Sequence, residues 1–154
     1  SIEARLESKF SSCIVQSDLI ERTAWEAERV ANFWPWFGQD FDDKNLPQEV
    51  DRNDQAISFN KGCYLGQETI ARLDALGQVQ KKLVRLQLNT HVLPDLKDPS
   101  QVVLLSDGVE VGQLRSLAQD DSGEVIGIGM VKRSHFAPGT SLVVGHASIP
   151  AQIL

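Results

Sequence analysis

From Val84 onward apolar and polar side chains alternate in short runs, and a run of that period buries its apolar half only as a strand of a sheet. Val84, Leu86 and Leu88 alternate with Arg85 and Gln87, and similar runs follow at 101–105, 109–117, 125–132 and 141–144. Turn formers divide them: Asp107-Gly108, then Asp120-Asp121-Ser122-Gly123, then Pro138-Gly139. Asp-Gly between two apolar runs is a hairpin signal, because both residues tolerate the positive φ that a tight turn needs. Strands this short and this closely spaced hide their edges by curling into a small antiparallel barrel, which is the fold predicted for residues 78–154.

Residues 1–77 have another character. Counted to Gln78, the first part holds 8 Lys and Arg against 14 Asp and Glu, whereas the rest holds 7 of each, so the net charge of −6 sits entirely in the first part. Ile2, Leu6 and Phe10 stand at helical spacing, and Cys13-Ile14-Val15 reads as a short buried strand. Asp18 and Glu21 have the form of a capping box that opens a helix over 19–33. Ile20, Ala24, Ala27, Ala31 and Trp34 give that helix its apolar stripe, with Glu26 and Arg29 facing elsewhere. Phe33-Trp34-Pro35-Trp36-Phe37 stops it, and such a cluster is expected as a core plug ahead of a ligand platform. The acidic stretch 39–55 is expected as a solvated loop, and 56–59 as a short extended run. A helix over 66–76 ends at Gly77. The fold class expected is therefore α+β, with helices packed on a small sheet and a barrel after them.

Composition excludes several roles. An acidic balance argues against a general nucleic-acid surface, though not against a local basic patch. No run of apolar residues is long enough to span a membrane, and no leader opens the chain. The only methionine is Met130 and the chain opens at Ser1, so it is expected to be a piece of something longer or a processed product. Two cysteines make no disulfide framework, which fits a reducing compartment; no metal-ligand spacing occurs, and His91, His135 and His146 read as surface residues.

The densest chemistry lies in Lys61-Gly62-Cys63-Tyr64-Leu65-Gly66-Gln67-Glu68. A thiol just ahead of a helix start meets unpaired N–H groups and the positive end of the helix dipole, and Lys61 adds a cation; all three favour thiolate. Gly62 and Gly66 admit backbone shapes that other residues resist. Gln67 and Glu68 fall in the first helical turn, and Arg72 lies one turn after Glu68. A buried thiol in a glycine-shaped loop beside a surface Glu–Arg pair would use the same residues.

The string Lys61 to Glu68, extended by Ala71-Arg72, resembles the signature of the YgfZ family of folate-binding proteins, relatives of the glycine-cleavage T-protein, an aminomethyltransferase. Arg29-Val30 with Pro35, the segment Leu46-Pro47-Gln48-Glu49, and Val111 to Ser116 are similar to further family segments. The resemblance covers nearly the whole chain but only the C-terminal half of a typical member. It implies a partial folate-binding domain of ferredoxin-like type at 1–77 and the aminomethyltransferase-type barrel at 78–154. It implies a tetrahydrofolate cofactor and a role in assembly or repair of iron–sulfur clusters, with client or assembly proteins as partners. Cys63 is then the functional thiol, with Lys61, Gly62, Tyr64, Gly66, Gln67, Glu68 and Arg72 holding its loop at the folate channel. The location implied is cytoplasmic, or organellar in a eukaryote. A tetrahydrofolate-dependent aminomethyltransferase is the alternative. Against it, Ala31 stands where T-proteins carry a folate-contacting glutamate, Phe33 where they carry glycine, and Gln67 at a position basic in T-proteins. Apolar surface left by a partial domain implies self-association.

Overall fold

The computed structural model describes residues 22–58, 62–63, 66–68, 79–95, 101–145 and 148–154. The expectations for 1–21, for Lys61, Tyr64 and Arg72, and for most of the 66–76 helix lie outside these residues.

Six strands form the closed antiparallel barrel that the alternation predicted: β1 (Lys81–Leu88), β2 (Val103–Ser106), β3 (Val109–Gln119), β4 (Val125–Lys132), β5 (Ser141–Val144) and β6 (Ile149–Ile153). Their order around the barrel is β1-β4-β3-β2-β5-β6, and β6 returns to pair with β1. Asp107 and Gly108 both take positive φ, of 50° and 75°, so the β2–β3 connection is the two-residue turn whose twist matches the strands. β6 was not expected: Ile149-Pro150-Ala151-Gln152-Ile153 contains a proline, which demotes a strand in a sequence reading. The barrel absorbs it because β6 still pairs with both neighbours, and Pro150 instead accepts a bond from Asn89 N–H at 2.8 Å.

The interior is filled by Val84, Leu86, Leu88, Leu104, Leu114, Leu142, Val144 and Ile153, among others. β4 is buried on both faces. Val125 and Val131 point inward, while Ile126, Ile128 and Met130 form a second layer outside the barrel, under the helix α1 (Arg22–Ala31). At roughly 1.5–3 kcal/mol for each large apolar side chain, that outer layer is a substantial tie between helix and barrel.

The helix is turned a little from its expected face. Ala27, Val30 and Ala31 meet the barrel, whereas Ala24 and Trp25 are exposed. Two bonds close its end, Trp34 N–H to Arg29 O at 2.8 Å and Phe33 N–H to Val30 O at 3.1 Å, with Phe33 at φ 53° between them. This is the Schellman pattern, which calls for glycine at the residue in the left-handed region. Phe33 tolerates that region because its ring packs on the outer layer and receives the Arg52 guanidinium at 5.9 Å.

Three expectations for this part are corrected. The helix ends at Ala31, not Phe33. Asn53–Ala56 is a helical turn, α2, so Ala56 is not extended, while Ile57 is. The 39–55 stretch is not wholly solvated: Asp40 and Glu49 are buried.

Candidate functional site

Cys63 and Gly62 are exposed, and Gly66 stands at φ 87°, the left-handed region that favours glycine. Gln67 and Glu68 are helical, Gln67 half-buried and Glu68 exposed. The thiol therefore meets solvent directly. Among the described residues no group of His, Cys, Asp and Glu stands close enough to hold a metal ion.

The chemistry that sequence reasoning missed lies between α1 and the barrel. Arg29 is fully buried, and its guanidinium bonds in four directions. Nη1 donates to Asp40 Oδ2 at 2.5 Å and to Trp34 O at 3.0 Å; Nη2 donates to Ser116 Oγ at 2.7 Å and to Glu26 Oε2 at 2.7 Å. Asp40, also fully buried, accepts the Ser116 hydroxyl on Oδ1 at 2.5 Å and Trp36 N–H on Oδ2 at 2.7 Å. Gln39 adds a bond to Ser116 Oγ at 2.9 Å. Every charge in the cluster is paired and hydrogen-bonded, the condition under which buried ions persist. Ser116 belongs to β3, so the network fastens α1 and the Trp34–Asp40 loop to the barrel wall. No local pattern announces it: residues two apart lie on different faces of a helix, so Ala27 and Ala31 do not carry Arg29 inward, and its burial depends on the Trp34–Asp40 loop and β3 closing over it.

Glu49 is held in the same way. Its Oε2 accepts Asn45 Nδ2 at 2.9 Å and Leu46 N–H at 3.2 Å, and Lys81 Nζ stands 3.8 Å away. This fixes the turn Pro47–Val50 against the start of β1.

Apart from Phe33, whose ring packs on the outer layer, the aromatic cluster is not a core plug. Trp34, Trp36 and Phe37 are 44%, 53% and 61% exposed, and Trp25 is 37% exposed. Trp25 lies 6.3 Å from Trp34 and meets Trp36 edge-on at 6.2 Å, making a supported aromatic surface rather than three loose rings. A sequence pattern cannot separate the two outcomes, because an aromatic run at a helix end offers the same residues to the core or to a partner. Beside it opens a cavity of about 500 Å³ lined by Trp34, Pro35, Phe41, Asp42, Arg52 and Gln55. Its walls are apolar, with a carboxylate, a guanidinium and an amide at the edge. That combination suits a flat heteroaromatic ring with hydrogen-bonding groups along one side.

No protein-family model matches the chain. A chloroplastic protein of Arabidopsis thaliana named a putative transferase is 31% identical over 127 residues, covering 79% of this chain and 27% of that protein. The tRNA-modifying protein YgfZ of Vibrio vulnificus is 31% identical over 88 residues, covering 55% of this chain and 26% of the relative. The human mitochondrial iron–sulfur cluster assembly factor IBA57 is 35% identical over 60 residues, covering 39% and 17%. The chain thus spans about a third or less of the length of these relatives. The crystal structure of the glycine cleavage system aminomethyltransferase T from Bartonella henselae superposes with a TM-score of 0.73 at 17% identity, over 84% of this chain and 36% of that one. That likeness is one of fold.

Proposed function

We propose that this chain, a YgfZ-like member of the glycine-cleavage T-protein superfamily, is the C-terminal part of a folate-binding accessory protein that supports assembly or repair of iron–sulfur clusters. The observation that carries the reading is Cys63, an exposed thiol between two glycines of the family signature. Exposure of the thiol ahead of a helical turn supports this reading, since a buried one would only fill space.

Folate supplies a pterin ring and a one-carbon carrier when bound. Of the described residues, those lining the cavity beside Trp34 suit the ring: Trp34 and Phe41 offer apolar surface, and the Asp42 carboxylate and Gln55 amide offer partners for its polar edge. Of the signature residues described, Gly66 turns the chain after the thiol at φ 87° and Gln67 and Glu68 open the helical turn that follows, while Lys61, Tyr64 and Arg72 have their role from the resemblance alone.

Accessory work is favoured over one-carbon transfer by Ala31. It packs into the layer between α1 and the barrel, so the position brings no carboxylate to a ligand. The compartments printed for two of the relatives, chloroplast and mitochondrion, support an organellar location in a eukaryotic source. Among the described residues no helix is long and apolar enough to cross a membrane.

Deleting the gene tests the role. Cells without it are expected to lose activity of enzymes that carry iron–sulfur clusters, while the abundance of those enzymes holds. Normal client activity in the deletion strain contradicts it. Titrating the protein with a stable reduced folate tests the ligand: tryptophan emission should fall in the wild type and much less in Trp34→Ala.

A further inference from the structure

Phe33, at φ 53°, is the bulkiest of the non-glycine residues found at positive φ among the described residues; the others are Asp51, Asp107 and Ser148. A large side chain keeps that conformation only where its surroundings hold it, and such positions gather at sites where placement matters. Arg52 does much of the holding. Its Nη2 donates to the Phe33 carbonyl oxygen, and its guanidinium lies 5.9 Å from the centre of the Phe33 ring. The next residue in the chain is Trp34, which with Pro35 lines the cavity of about 500 Å³. Turning Phe33 out of the left-handed region would swing the chain at Trp34 and displace that wall.

Arg52 also anchors a second wall. Its carbonyl oxygen accepts Gln55 N–H at 3.1 Å and Ala56 N–H at 2.8 Å, the bonds that form α2, and both of those residues line the cavity. The arginine is itself tied to the barrel. Val50, two residues earlier, is buried in the outer layer, and Asp51 pairs with Lys82 of β1 at 3.3 Å. Among the described residues Arg52 makes no ion pair, so its side chain is committed to Phe33 rather than to a carboxylate.

We infer that Arg52 is a positioning residue for the ligand of this cavity: its side chain holds Phe33 in the left-handed region while its carbonyl anchors α2, and together they set the Trp34 wall against the Gln55 wall. The inference rests on the reading that a pterin ring occupies the cavity. Arg52 acts through Phe33, without touching the ligand. Once unpinned, a residue other than glycine disfavours the left-handed region by about 10-fold, and affinity falls with the fraction of molecules that keep the wall in place.

The test is a double-variant cycle, read by calorimetric titration with 5-formyltetrahydrofolate, a stable reduced folate, and by urea unfolding. Arg52→Ala should weaken binding by about 10-fold. In a Phe33→Gly background, where glycine takes positive φ freely, the same change should weaken it by less than about 2-fold. Phe33→Asn, which also tolerates the region, supplies the background if the glycine variant folds poorly. An equal loss in both backgrounds would mean that Arg52 grips the ligand itself, and no loss in either would mean that it positions nothing; each result overturns the inference. Urea midpoints of the same variants read the pin without ligand. Arg52→Ala should lower the midpoint much more beside Phe33 than beside glycine, and an equal drop would overturn the pin. Failure of the wild type to bind the folate would contradict the reading of the cavity, with the unfolding cycle still deciding the role of Arg52.

Discussion

Among the described residues, Arg29 ties together three parts of the architecture through one side chain. Its guanidinium joins a helix, a loop and a strand, and Asp40 has no route to water once it is gone. Arg29→Met is therefore expected to cost about 3–5 kcal/mol in urea unfolding, the penalty for stranding a buried charge. Arg29→Met combined with Asp40→Leu should recover part of that loss, since no charge is then stranded; a double variant as unstable as the single one would contradict the account. Asp120 shows the opposite kind of charge, one at the surface. The Ser122 hydroxyl above all, opposed by slight burial and helped by backbone N–H groups in its turn, holds its carboxyl below the usual carboxylate range. A depressed carboxylate stabilises the fold above its unfolded pKa and loses that contribution as pH falls through the folded one. The urea midpoint should therefore drop between about pH 5 and about pH 3, and Asp120→Asn should drop less. An equal drop in both proteins would remove Asp120 from the explanation.

Strand β4 shows why the barrel was legible and its surroundings less so. Period-two alternation and Asp-Gly turns depend on neighbours in sequence, and these located β1 through β5. What lies on the outer face of β4 depends on which side of α1 turns inward, and a rotation of part of a helical turn exchanges Ala24 for Val30 at the contact. Aromatics at the helix end were ambiguous for the same reason. The signature around Cys63 was visible as a pattern, whereas the Arg29–Asp40–Ser116 network joins residues up to 87 apart in sequence, which no local pattern reports. Gly129 offers a test at this scale. A Cβ there would lie 2.8 Å from Leu104 Cδ1 and 2.9 Å from Leu86 Cδ1, inside a filled barrel. Gly129→Ala should destabilise by about 1–3 kcal/mol through overpacking, read as a lower urea midpoint. An unchanged midpoint would mean that the interior is looser than its contacts indicate.

At the scale of the molecule, two faces differ in kind. Trp25, Trp34, Trp36 and Phe37 leave an exposed aromatic surface on the helical part, while the opening of the barrel at Lys81, Lys132 and Arg133 is cationic. The aromatic surface is expected to drive weak self-association, seen as a sedimentation coefficient that rises with concentration and falls back in Trp36→Ser. A coefficient independent of concentration would dismiss that expectation. The functional claim, however, concentrates on one atom, the Sγ of Cys63. Its direct test is Cys63→Ser in the full-length gene, returned to cells that lack it, with the activity of iron–sulfur enzymes and the level of the variant protein both measured. The account predicts that the variant accumulates normally and fails to restore those activities; restoration to the wild-type level would contradict it.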